Sequence, residues 1–255
     1  MIVLRSTLFW LLTVLLTIPF GIALVLLTLL PLKARFYTVH LWRMGFMFLA
    51  RWVLGVKMVV KGRENIPAQP ILVLSKHESA WETVALQEIF IPTVFVLKQE
   101  LLKIPFFGWG LAALRMIAID RNGGKEALRQ MLEQGKDRLA QGIWVVVFPE
   151  GTRVPPGQRV RYKLGAAYLA TRTGTPVLPV AHNAADVWPK KALLIQPGTI
   201  TVSIGPPIET KELKDAQVNA AVEAWIEAEM RRLSPQRYLP REAGTAGTEA
   251  DGAQV

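Results

Sequence analysis

No cysteine occurs among the 255 residues, which excludes a disulfide scaffold, a thiolate metal site and a cysteine nucleophile. Acidic residues are missing from the first 63 positions, where eight basic ones stand: Arg5, Lys33, Arg35, Arg43, Arg51, Lys57, Lys61 and Arg63. The other 192 positions carry 22 basic and 20 acidic residues, so most of the net charge of +10 lies beside the most apolar part of the chain. That distribution argues for a membrane surface and against a nucleic-acid partner. Histidine is scarce, with only His40, His77 and His182. No Gly-x-Ser-x-Gly elbow is present, which removes the serine lipid hydrolases. Internal repeats are also absent. A hydrophobic content of 51% excludes a disordered chain.

What is present divides into three stretches. Residues 1–55 read as a membrane anchor, 56–233 as a single α/β domain, and 234–255, rich in Gly, Ala, Thr and Glu, as a disordered tail. Between Arg5 and Lys33 nothing is charged. As a helix, residues 8–30 would span about 34 Å, enough for a hydrocarbon core. The run is longer than the apolar region of a secretory signal, and no small-x-small cleavage site comes after it. Pro19 and Gly21 in its middle leave a bilayer-crossing helix and a re-entrant hairpin both open. Residues 34–55 alternate aromatic and basic side chains, the composition of a helix at the lipid interface. A buried core helix is the alternative. His40 within it reads as a snorkelling side chain.

Beyond residue 56 the texture changes. Strands are expected at 56–60, 71–74, 93–97, 116–119, 143–148, 176–180 and 199–204, with helices at 79–90, 125–141, 164–173 and 216–233. This alternation predicts a mostly parallel sheet flanked by helices. Ligands of such sheets bind at the carboxyl ends of the strands, so the residues just after each strand are the candidates for chemistry.

His77 comes directly after the strand at 71–74, with Glu82 five residues on. Five residues within one helix turn through 140°, so His77 must precede the helix for the pair to meet. There it has the parts of a general base and its orienting carboxylate. Ser79-x-x-Glu82 also has the form of a capping box, and one carboxylate cannot readily do both jobs. We take Glu82 as the partner of His77, because a base needs a fixed tautomer and Glu78 points less predictably. After the strand at 143–148 come Glu150, Gly151, Thr152 and Arg153. Gly151 permits close backbone approach, and Arg153 offers a planar fork for phosphate or carboxylate. A plain Glu150–Arg153 ion pair is the alternative. Lys98 and Arg121 each lie at or just beyond a strand end, and His182 reads as structural.

In order along the chain, His77–Glu82, Lys98–Leu101 with Pro105–Trp109 and Ile119–Arg121, Phe148–Arg153 and Val177–Val180 resemble the four motif blocks of the glycerolipid acyltransferase family. The likeness is strongest to bacterial members that acylate 1-acylglycerol 3-phosphate. It covers about residues 56–208. One departure is Glu82, which stands where the family usually has Asp. The resemblance implies transfer of an acyl group from acyl-CoA or acyl carrier protein to the sn-2 hydroxyl of lysophosphatidic acid, at the cytoplasmic face of the inner membrane. It implies no metal and no cofactor. His77 and Glu82 would be catalytic. Lys98, Arg121 and Arg153 would grip the phosphate, and Glu150, Gly151 and Thr152 would shape the pocket. Another lysophospholipid or lyso-aminolipid acceptor, or a non-catalytic lipid-binding protein anchored to the membrane, are the competing readings.

Overall fold

The computed structural model describes residues 1–120 and 123–238. Its elements are α1 (Ile2–Leu26), α2 (Leu32–Leu49), β1 (Val56–Lys61), β2 (Leu72–Ser75), α3 (Trp81–Ile89), β3 (Thr93–Lys98), α4 (Phe107–Ala113), β4 (Ile117–Ile119), α5 (Lys125–Ala140), β5 (Trp144–Val147), α6 (Gly165–Thr173), β6 (Val177–His182), α7 (Ala184–Val187), β7 (Gly198–Ile204), α8 (Asp215–Leu233) and α9 (Pro235–Tyr238). The strands form one seven-stranded sheet in the order β1-β7-β6-β2-β5-β3-β4. Every neighbouring pair is parallel except β6 with β7.

Burial matches this order. The central strands β2 and β5 are buried at every position, as continuous apolar runs are when helices cover both faces of a sheet. The edge strand β1 alternates buried or half-buried residues with exposed ones. Helix α5 buries Ala127, Met131, Gly135 and Arg138, one face at helical spacing. A Cβ on Gly135 would lie 2.6 Å from Leu169 Cδ2, so α6 approaches α5 only because that side chain is missing.

The N-terminal helices are fastened along the domain. Arg5 Nε donates to Val53 O at 2.7 Å, Ile195 N donates to Ser6 Oγ at 3.0 Å, and Trp10 Nε1 donates to Leu193 O at 2.9 Å. At the far end Arg35 Nη1 donates to Ala113 O at 2.6 Å. Gly21 lies against α4's first turn, where a Cβ would meet Phe106 O at 2.8 Å. Helix α1 is long and apolar enough to cross a membrane, and Leu4, Leu11, Leu15 and Leu26 on it face outward. Helix α2 combines the two alternatives read from its composition. Phe36, Val39, Arg43 and Phe46 are buried, while Tyr37, Leu41, Met44 and Phe48 are exposed. Arg43 is not an interfacial cation: it is 2% exposed and paired with Glu88 of α3.

Two details differ from the sequence reading. Helix α4 has no counterpart in the sequence pattern, because Gly108 and Gly110 weaken local helix propensity. Its glycines instead allow contact: a Cβ on Gly108 would meet Leu102 O at 2.4 Å. Ser234–Tyr238, expected within a disordered tail, is folded: Ser234 Oγ and Arg237 Nε bond the Asp186 carboxylate at 2.6 and 2.9 Å. The rest of that expected tail lies outside the described residues.

Candidate active site

Strands β2 and β5 are direct neighbours, so the loops after them share the carboxyl edge of the sheet. His77 and Phe148 therefore meet, their rings stacked 3.9 Å apart at 14°. Val154 N donates to His77 O at 2.8 Å, which ties the two loops together.

His77 Nδ1 lies 2.7 Å from Glu82 Oε1. Glu82 is fully buried, whereas the His77 side chain keeps 13% of its surface exposed. The same Glu82 oxygen accepts the Ser79 N–H at 3.1 Å. One oxygen with two lone pairs thus serves both the His77 ring and the Ser79 amide, while the N-cap of the helix is Ala80 and takes no side-chain bond. The helix also begins later than the capping-box pattern suggests, at Trp81, whose N–H donates to Ser79 Oγ at 3.2 Å. Burial alone would raise the Glu82 carboxyl. The hydrogen bond from His77 and the nearby His182 outweigh that and hold it below the usual carboxylate range.

Beside this pair lies a cavity of about 440 Å³. Its polar rim includes His77, Lys98, Thr152, Arg153 and Lys190, and its apolar wall includes Phe20, Leu24 and Val39 of the N-terminal helices with Phe95, Leu111 and Leu114 of the domain. Lys98, Thr152 and Arg153 are where the sequence places them. Arg153 makes no ion pair with Glu150. Its buried Nε has no hydrogen-bond partner among the described residues. Sequence reasoning misses Lys190, because it sits in no motif; its Nζ donates to Arg153 O at 2.9 Å. Arg121 lies outside the described residues.

Glu150 and Gly151 do not line the cavity. Glu150 turns behind the His77 loop, where its Oε1 accepts the His77 N–H at 3.2 Å and lies 3.5 Å from Lys76 Nζ. A carboxylate at a strand end reads as a cleft group, but the buried Lys76 draws this one inward. Burial raises Glu150 to about 7, against the pull of Lys76. Gly151 has φ +69°, and a Cβ there would come within 3.0 Å of Lys163, so the glycine serves the turn and this side chain. Glu78, also buried, is raised by burial to about 8 despite Lys76, with Glu82 and Glu150 adding to the rise. His182 is structural as expected: it is fully buried, with Nε2 2.8 Å from Lys76 O.

A mostly apolar cavity with the histidine of a histidine–carboxylate pair in its lining, at the carboxyl edge of a largely parallel sheet, is the arrangement of an α/β enzyme site. The comparisons with known proteins make it specific. The Acyltransferase family model matches residues 57–183. The 1-acyl-sn-glycerol-3-phosphate acyltransferase of Pseudomonas aeruginosa is 46% identical over 211 residues, 81% of this chain and 82% of that protein. The mouse 1-acyl-sn-glycerol-3-phosphate acyltransferase alpha is 31% identical over 69% of this chain and 63% of its own length. The crystal structure of the 1-acyl-sn-glycerophosphate (LPA) acyltransferase PlsC from Thermotoga maritima superposes with a TM-score of 0.71 at 24% identity, covering 91% of this chain and 97% of that one. This chain belongs to the acyltransferase family.

Proposed function

We propose that the protein moves a fatty acyl group from an acyl thioester, acyl-CoA or acyl carrier protein, to the sn-2 hydroxyl of 1-acylglycerol 3-phosphate, giving phosphatidic acid. The names of its relatives support the acceptor, and the His77–Glu82 pair at the mouth of an apolar cavity supports the chemistry. With Glu82 ionised, Nδ1 carries the proton and donates it, so Nε2 accepts the hydroxyl proton as the oxygen attacks the thioester carbonyl. The tetrahedral intermediate then expels the thiolate, and the imidazolium returns the proton to sulfur. Stoichiometry closes with no metal and no cofactor. Arg153, Lys98 and Lys190, with Arg121, hold the phosphate, and the wall of α1, α2 and α4 receives the hydrocarbon.

Membrane association rests on the same helices. Because α1 is tied to the domain through Arg5 near its start and packs against the α4 turn through Gly21 in its second half, its outward leucines support an anchor lying in one leaflet rather than a free bilayer-crossing span. Acyl donors are made in the cytoplasm, which supports the cytoplasmic face of the inner membrane. The deciding experiment supplies purified protein in mixed micelles with 1-acylglycerol 3-phosphate and an acyl thioester, and resolves the lipid product by chromatography. Phosphatidic acid is expected from the wild type and none from His77→Ala. Activity in that variant would remove the base assignment, and no product from any lysophospholipid would remove the whole reading.

A further inference from the structure

Directly before His77 stands Lys76, a lysine with no exposed surface. It does not line the cavity, so it grips no substrate. Its Nζ lies 2.8 Å from Glu227 Oε1 on α8, a partner 151 residues away, and 3.5 Å from Glu150 Oε1. Glu150 Oε1 in turn accepts the His77 N–H. Tyr162 Oη donates to the same Glu227 oxygen at 3.1 Å. The Lys76 peptide is held too, its N–H by Val180 O at 3.0 Å and its O by His182. A buried ion pair is weak support for stability, because desolvating the charges offsets their attraction and apolar replacements are often neutral. What this one has is a direct line to the backbone of the base.

We propose that Glu227 is a positioning residue for acyl transfer, fixing the His77 peptide through Lys76 and Glu150. Helix α8 lies beyond residues 57–183, the part matched by the family model, so the base depends on a side chain outside that region. The inference rests on His77 being the general base. Misplacing a reacting group by about an ångström costs up to about 100-fold in rate, so the effect belongs in kcat.

Three variants test it beside the wild type and His77→Ala. Glu227→Gln keeps both acceptor hydrogen bonds and removes the charge, freeing Lys76 to pull on Glu150. Its kcat per folded molecule should fall about tenfold, with KM for acceptor and thioester within about twofold. Because the charge of Lys76 is left partly uncompensated, the unfolding midpoint should fall as well, so the rate is read at a temperature where the variant is fully folded. The double variant Lys76→Met with Glu227→Leu replaces the ion pair by apolar contact. It should stay folded and lose about 10–100-fold in kcat. Tyr162→Phe, which removes one hydrogen bond to Glu227 but leaves the ion pair, should lose far less. Wild-type kcat in Glu227→Gln, or losses that track the folded fraction, would overturn the proposal. Activity in His77→Ala would instead overturn the base assignment beneath it.

Discussion

Replacing Glu82 by Gln isolates the charge of the dyad from its geometry. The amide oxygen can still accept from His77 Nδ1 and from Ser79 N, the two bonds that Glu82 Oε1 now accepts at 2.7 and 3.1 Å. Only the negative charge facing the imidazolium disappears. With charge centres about 4 Å apart and an effective dielectric of about 20, that attraction is worth about 4 kcal/mol in the transition state. The expected loss is therefore about 10³-fold in kcat. Because the loop keeps its hydrogen bonds, the unfolding midpoint should move by no more than a few degrees, about 1 kcal/mol for a chain of this size. Thiol release from the acyl donor, monitored with a thiol-reactive chromophore, gives the rate directly: a chain without cysteine adds no background. Glu82→Asp draws the carboxylate back by about 1.5 Å and should fall between wild type and Gln. A Gln variant within tenfold of wild type, or one whose midpoint falls in step with its rate, would refute the reasoning and leave Glu82 as a capping residue.

Three further outcomes can be checked with the same preparations. Arg153→Ala should raise KM for the phosphate-bearing acceptor about 10–100-fold while KM for the thioester stays level; the reverse split would move Arg153 to the donor side. Gly21→Leu drives a side chain into the Phe106 backbone and should lower both activity and midpoint, whereas Ile22→Leu, on the exposed face, should change neither. Glu78 is raised from 4.5 to about 8, so its stabilising neutral form is complete below pH 4.5 and is lost as pH rises through 8. Glu78→Gln should remove that loss: unfolding free energies from urea titrations would match wild type near pH 4 and exceed it at pH 9, by a margin on the order of a few kcal/mol. Parallel wild-type and variant curves would contradict the buried, neutral carboxyl.

The sheet and the His77–Glu82 contact are legible in the sequence for the same reason, that both depend on neighbours along the chain. Apolar runs mark β2 and β5, and a histidine just before a helix, with a carboxylate on that helix's first turn, can meet it without help from elsewhere. The features that stay hidden depend on distant partners. By composition Arg43 belongs with the lipid contacts, and only the fold brings Glu88 beside it. Glu150 reads as a cleft residue, because nothing local shows that Lys76 and Glu227 share a buried pocket behind it. Lys190 carries no pattern at all and reaches the rim through the turn after α7. Helix α4, weak by propensity, exists through contact with α1.

The fit of Gly21 against Phe106, where an added Cβ would come within 2.8 Å of the carbonyl oxygen, and the packing of Leu24 beside Gly110 have a bearing on how such a chain can vary. A helix that only had to be greasy could drift freely among leucine, valine and isoleucine. One that lines the cavity beside His77 cannot, and its inward positions must change in concert with α4. Grafting an unrelated hydrophobic helix of equal length onto residue 31 would preserve hydropathy and still leave that cavity open on one side.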